Sequence, residues 1–258
     1  MILQRWRGER AKAPARNGAA GHRAYAIGDV HGRLDLLDGL LQQIDGDHRA
    51  RGGEAQPLLI FLGDLIDRGP HSSQVVERVR GGALPGFRTV ALLGNHEEVL
   101  LRLLDGEEGL LRQWFSFGGA ECLASYGADA MSLLTMPEQT ALEHIRHAIP
   151  AEHQAFLHGM GDSFRFGSYL FVHAGIRPGV PLEQQSSIDL RWIRQPFLGD
   201  RRDHGMIVVH GHTISKAIDE RANRIGIDTG AFHFGVLTAL GFEGEERWFM
   251  QQMEDGPA

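Results

Sequence analysis

The feature that most limits the fold is an alternation of apolar runs with amphipathic stretches across the first hundred residues. "RAYAIG" ends at Gly28, and leucines at helical spacing follow over Leu34–Asp45. "PLLIFLG" is a second apolar run and "SSQVVERVR" a second amphipathic stretch; "FRTVALLG" and "HEEVLLRLL" repeat the pair. Short apolar runs rich in branched residues read as strands, and spacing of i, i+3, i+4 reads as helix. The order β-α-β-α-β-α predicts parallel strands joined by right-handed crossovers. From Leu110 to His158 the pattern turns mostly helical, in "LLRQWFSFGGAECLASYG" and "EQTALEHIRHAI". From Ser163 onward strands return as "SFRFG", "YLFVHAG", "MIVVHGH", "NRIGIDTG", "VLTALGF" and "RWFMQQ". These runs are bounded by Gly and Asp and suit hairpins and a second sheet. The expected class is α/β: a two-sheet β-sandwich core flanked by helices, with a helical insert. One domain is expected over 23–258, with the insert at about 105–160 as a cap beside the strand tips.

The strand ends carry the chemistry. "LIFLGDLIDRGPHSS", Leu59–Ser73, stops a buried run on Asp64, Asp67 and Arg68. The first strand ends "GDVHGR" with Asp29, His31 and Arg33, and the third ends "GNHEE" with Asn95 and His96. Later strands end "VHAG" with His173 and "VVHGHT" with His210 and His212. In open α/β sheets, ligands bind beyond the carboxyl ends of the strands, and all five tips would meet there. Each tip alone has an ordinary explanation. Asp after Gly is common turn chemistry. Asn95 could cap the following helix, with Glu97 or Glu98 favourable against its dipole. What the ordinary explanations leave open is the recurrence of Asp, His, Asn and Arg along one edge.

Carboxylates crowded in a buried place repel each other, and cations are the usual remedy. The donors at the tips are carboxylate, imidazole and amide oxygen, with no thiolate. That set suits Mn, Fe, Zn or a similar divalent ion better than a structural zinc site. Asp64, in the middle strand, is placed to bridge two ions. Paired ions activate a water and clamp the oxygens of an in-line displacement. Guanidinium forks match phosphate geometry, so the arginines point to an anionic phosphoester substrate.

Composition narrows the setting. No apolar run approaches the roughly 18–20 residues of a membrane span, and the N-terminus has no apolar signal core. The single cysteine, Cys122, excludes an internal disulfide, sits in an apolar stretch and fits a reducing cytoplasm. The net charge of −7 is uneven: residues up to Arg23 carry a local +5, leaving −12 on the rest. Residues 1–22 are expected to form a basic, solvated, disordered arm, with docking onto an acidic partner or RNA as the other use of such a tail.

The motifs "GDVHGR", "GDLIDRG", "GNHEE", "VHAG" and "HGHT", in this order from Gly28 to Thr213, resemble those of the phosphoprotein phosphatase branch of the calcineurin-like metallophosphoesterases. The similarity is nearest to the bacterial and phage serine/threonine protein phosphatases. It implies one metal held by Asp29, His31 and Asp64, and a second held by Asp64, Asn95, His173 and His212. It implies His96 as the general acid, Asp67 as its orienting partner and Arg68 as a phosphate ligand. A second phosphate-binding arginine is implied in "DLRWIRQPF", where Arg191 and Arg194 are the choices and the spacing after the tryptophan favours Arg194. His210 is left as a structural residue. The implied reaction is direct attack on a phosphomonoester by a hydroxide held between two ions, most simply manganese, on a phosphoprotein or small phosphoester. The alternatives are a symmetrical dinucleoside tetraphosphatase and a non-catalytic, metal-stabilised binding protein. "HAG" and Arg33 depart from the eukaryotic pattern, so eukaryotic regulatory partners are not implied.

Overall fold

The computed structural model describes residues 16–254. Ten strands form two five-stranded sheets. The strands are β1 (His22–Ile27), β2 (Gln56–Phe61), β3 (Arg88–Ala91), β4 (Ser163–Phe166), β5 (Tyr169–Val172), β6 (Ile207–His210), β7 (Asp219–Glu220), β8 (Arg224–Gly226), β9 (Val236–Glu243) and β10 (Glu246–Met253). The first sheet runs β10-β9-β1-β2-β3 and the second β4-β5-β6-β8-β7. Strands β1, β2 and β3 are parallel, as the alternation predicts. Helices α1 (Leu34–Arg51) and α2 (Ser72–Arg80) make the two crossovers, and α3 (Asn95–Leu104) leaves the third strand.

The side-chain alternation of the strands builds the layers. On β1, Ala24 and Ala26 face the second sheet, while Tyr25 and Ile27 face the helices. On β2, Leu58 and Ile60 face inward, and Leu59 and Phe61 face the helices. Phe171, Val209, Ile225 and Phe242 close the space between the sheets. The outer face of the second sheet, with Leu170, Val172 and Val208, is covered by Leu190, Ile193 and Phe197. The central strands of both sheets are thus buried on both faces, which explains why β1, β2, β5 and β6 read as continuous apolar runs.

Two expectations need correction. The runs after Ser163 do not all belong to a second sheet of hairpins. β9 pairs antiparallel with β1, and β10 with β9, so the C-terminal hairpin completes the first sheet. Within the second sheet, β5, β6 and β8 are mutually parallel. The second correction concerns the arm. Residues 1–15 lie outside the described residues, but 16–22 are hydrogen-bonded to the domain, with Gly18 buried and Asn17, Ala20 and Gly21 exposed. Arg16 donates to Asp203 and to the Gly205 carbonyl, the Gly18 N–H donates to the Gly244 carbonyl, and the Ser168 N–H donates to the Asn17 carbonyl. His22 already belongs to β1.

The middle of the chain supplies α4 (Leu111–Trp114), a π-turn (Phe115–Gly119), α5 (Ala120–Ser125), α6 (Ala130–Leu133), α7 (Glu138–Ala148) and α8 (Ala151–His158). These pieces share one apolar core with α1–α3. Helices α9 (Ser187–Trp192) and α10 (Ala231–Phe234) flank the later strands. Cys122 is fully buried in the same core, and burial raises its thiol pKa well above the ordinary value. Among the described residues, no helix is long and apolar enough to cross a membrane.

Candidate active site

The tips of β1, β2, β3, β5 and β6 converge, and the side chains singled out in the sequence meet there with little exposure. Asp29, His31, Asp64, Asn95, His96, His173 and His212 are all buried. Asp64 is central. Its Oδ2 lies 3.6 Å from His31 Nε2, 3.4 Å from His173 Nε2 and 3.9 Å from His96 Nε2. Asn95 Oδ1 lies 3.0 Å from His173 Nε2 and 2.7 Å from His212 Nδ1. Asn95 is therefore not the cap of α3; its side chain turns into the site. Asp29 Oδ2 accepts the His212 N–H at 3.0 Å.

The backbone holds these groups in place. His31 Nδ1 donates to the Ile66 carbonyl and His173 Nδ1 to the Leu62 carbonyl, both at 2.8 Å. Such bonds make Nδ1 the donor and turn Nε2 toward the centre, the arrangement that orients a metal-binding imidazole. His31, Asp64, Asp67, Arg68 and His212 all have φ between 45° and 71°. Among the described residues the only other non-glycine with positive φ is Ala83. Left-handed backbone costs roughly 1–2 kcal/mol per residue, so this cluster marks where the surrounding structure over-determines the chain.

Burial and neighbouring charges displace the titratable groups of the cluster from their ordinary ranges. Burial and then Asp228 raise the Asp29 carboxyl well above its usual range. Burial opposes a charged His173, but Asp64 outweighs it and lifts the ring to about 10. Burial and His96 lower His31 to about 3, and burial and His173 lower His212 to about 2. Asp64 itself stays charged, because His173 and His96 outweigh burial. Two buried atoms, Asp29 Oδ1 and His212 Nε2, have no hydrogen-bond partner. Donor atoms of His31, Asp64 and His96 lie within 4.8 Å of one another, as do those of Asp64, His173 and His212; Asp29 belongs to neither set and joins them through its bond to the His212 N–H. Two overlapping donor sets that share Asp64, together with unpartnered buried oxygen and nitrogen atoms, fit a pair of divalent cations.

A second group stands beside this one. His96 Nδ1 lies 2.6 Å from Asp67 Oδ2, and the Trp114 indole N–H donates to the same carboxylate at 3.0 Å. Burial alone would lower the His96 pKa, but Asp64 and Asp67 raise it. Arg68 Nη2 donates to His96 Nε2 at 3.0 Å. The two downstream arginines separate cleanly. Arg191 is held by Asp162 at 2.6 Å and Glu98 at 3.2 Å. Arg194 is exposed and reaches only the His212 carbonyl, at 3.4 Å. Arg33 turns away to Asp35 and the Ala231 carbonyl. His210 points to the Gly211 carbonyl and Arg224, outside the cluster.

Asp228 and Trp114 were missed, and Glu97 was read only in part. Asp228 follows β8, is buried, and its Oδ1 accepts the Gly230 N–H. It is a sixth polar strand tip, after "RIGI", and the rule that found the other five would have found it. Glu97 stands in the first turn of α3, as its position suggests, and caps the helix by accepting the Gly94 N–H, but its reach goes further. It is fully buried and accepts the N–H groups of Gly94, Asp64, Leu65 and Ile66. Trp114 braces Asp67, and nothing in the sequence marks that contact.

The family description "Calcineurin-like phosphoesterase" matches residues 22–235. The chain belongs to the calcineurin-like phosphoesterase family. It is 28% identical to the bis(5'-nucleosyl)-tetraphosphatase PrpE [asymmetrical] of Halalkalibacterium halodurans, over 84% of this chain and 88% of that one. It is 26% identical to serine/threonine-protein phosphatase 1 of Salmonella typhimurium, over 83% and 89%. A solved putative diadenosine tetraphosphatase superposes with a TM-score of 0.64 at 19% identity, covering 93% of this chain and all of that one. A cold-active protein tyrosine phosphatase superposes with a TM-score of 0.56 at 17% identity, covering 91% and 80%. This calcineurin-like chain is a phosphoester hydrolase built on the family's two mixed sheets.

Proposed function

We propose that the chain is a serine/threonine protein phosphatase that hydrolyses phosphomonoesters at a site holding two divalent cations. Asp29, His31 and Asp64 would hold one ion, and Asp64, Asn95, His173 and His212 the other. When bound, the ions supply Lewis-acid activation of water and offset phosphoryl charge. Manganese is the first expectation, and the same donors suit iron or zinc.

The chain's own residues do the rest. Arg68 and Arg194 grip the phosphoryl oxygens with guanidinium donors. Arg68 now donates to His96 Nε2, so that nitrogen carries a lone pair. Drawing Arg68 onto the phosphate frees Nε2 to carry a proton. Asp67 holds Nδ1, and the ring can deliver that proton to the departing alkoxide.

The observation that carries the reading is the buried 2.6 Å His96–Asp67 pair beside Asp64. A seryl or threonyl alkoxide is a poor leaving group and needs such an acid. His96→Asn should lower turnover on a phosphoserine peptide about 10²- to 10⁴-fold. It should matter much less on p-nitrophenyl phosphate, whose leaving group hardly needs a proton. Equal losses on both would contradict the role.

A second reading is favoured by the relatives named for dinucleoside tetraphosphates. The sequence resemblance suggested the symmetrical type, whereas the matching relative carries the asymmetrical name. A nucleotide leaving group needs no proton, so the His96 pair supports the phosphoprotein reading. Assaying diadenosine tetraphosphate beside phosphopeptides, with bound metal quantified, separates the two.

A further inference from the structure

We infer that Phe117 adds to the seryl and threonyl esters of the proposed function a further class favoured by its ring: substrates whose leaving oxygen is attached directly to an aromatic ring, phosphotyrosine being the natural case. This rests on the reading of His96 as the acid facing the leaving group. Phe117 lies on the π-turn, with 37% of its surface exposed. Its ring centroid is 6.2 Å from the His96 ring, at an interplanar angle of 64°. Phe117 is thus a direct neighbour of the acid, and on this inference the group bonded to the leaving oxygen lies against its ring.

The turn is braced on both sides. The Arg68 N–H donates to the Gly118 carbonyl at 3.1 Å. Gly119 packs on the indole of Trp114, which in turn bonds Asp67. Phe117 is thus tied to the phosphate-facing arginine and the His96 pair, and presents a fixed apolar surface at the rim. Aromatic rings attract at centroid separations of about 4.5–7 Å. A phenyl group one bond beyond the leaving oxygen falls within that reach. A nucleobase, set back by a ribose and at least one further phosphate, does not.

The test compares wild type with Phe117→Leu and Phe117→Trp on phosphotyrosine and phosphoserine peptides of one sequence, and on phenyl phosphate and glycerol 2-phosphate. Comparing each variant with wild type on the same substrate cancels intrinsic leaving-group reactivity. Phe117→Leu should lower kcat/KM roughly 2- to 10-fold on the two aryl substrates, the rate equivalent of one aromatic pair. The alkyl substrates should stay within about twofold, since apolar bulk is retained, and Phe117→Trp should keep the aryl preference. An equal fall on aryl and alkyl substrates, or no change on either, overturns the inference. If wild type cleaves neither peptide while the small substrates follow this pattern, the protein-phosphatase reading fails and Phe117 keeps its role.

Discussion

Replacing Glu97 by Gln changes one oxygen to an amide and should unpick the turn that carries Asp64. Glu97 Oε2 accepts from Gly94 N at 3.0 Å and Asp64 N at 2.8 Å. Its Oε1 accepts from Leu65 N at 2.7 Å and Ile66 N at 3.3 Å. A glutamine keeps one acceptor oxygen, so one pair of N–H groups meets an NH2 that cannot accept. Two buried donors left unpaired cost about 1–3 kcal/mol each, or roughly 2–6 kcal/mol together. Some of this is recovered. Burial and then Asp64 push the Glu97 carboxyl up to about 7, so removing its charge relieves a buried repulsion. The net expectation is the lower half of the range, about 2–4 kcal/mol. For a domain of this size, that is a fall in Tm on the order of 5–15 °C. Urea unfolding gives the free energy, and calorimetric titration with manganese gives the affinity of the site. Affinity should fall roughly 10- to 100-fold, the usual effect of losing a partner that orients a ligand. A Glu97→Gln protein with wild-type stability and unchanged metal affinity would refute the claim that this carboxylate fixes the Asp64 turn.

Three further outcomes follow from the same geometry. Arg194→Ala should lower kcat/KM roughly 10²-fold or more, as loss of a transition-state donor does. Arg191→Ala should retain turnover and cost about 1 kcal/mol of stability, because its partners are Asp162 and Glu98; the reverse pattern would exchange their roles. A Cβ on Gly211 would overlap Asp29 Oδ1, so Gly211→Ala should weaken metal binding roughly 10- to 100-fold. Titration calorimetry checks this, and wild-type affinity would show that Asp29 can move without cost. Trp114→Phe removes the indole donor to Asp67 and should cost about 1.5–3 kcal/mol in urea unfolding. Its turnover should fall on the phosphoserine peptide and hold on p-nitrophenyl phosphate, where the proton is not needed.

What the sequence could reveal divides by the range of the interactions involved. The strands, the crossovers and the polar tips are local patterns, and their parallel order puts every tip at one edge. The position of the β9–β10 hairpin was not legible, because period and turn residues do not say which edge a strand joins. The pairing with β1 is secured by contacts far apart in sequence, such as Arg23 with Glu243 at 2.7 Å. Glu97 was read only in part for a related reason. Its first-turn position in α3 is a local fact, but the N–H groups it accepts from Asp64, Leu65 and Ile66 come from a different strand end.

The glycines before Asp64 and Asn95 show how local and distant constraints meet in the motifs. They read as turn residues, yet their role is set by each other. A Cβ on Gly63 would strike the Gly94 backbone, and a Cβ on Gly94 would strike the Asp64 backbone and side chain. The two strand ends therefore press together with no room for a side chain between them, and that approach sets the His96 N–H on Asp64 Oδ1 at 3.1 Å. In "GD" and "GN" the glycine supplies the approach and the next residue supplies a side-chain oxygen that faces the site. Recurrence of the dipeptide at neighbouring tips is then a consequence of building one site from several strands. The strained φ of Asp64, His31 and His212 belongs to the same cause: backbones packed this closely must turn sharply to point their side chains at a common centre, and Glu97 is the anchor that keeps the middle one turned.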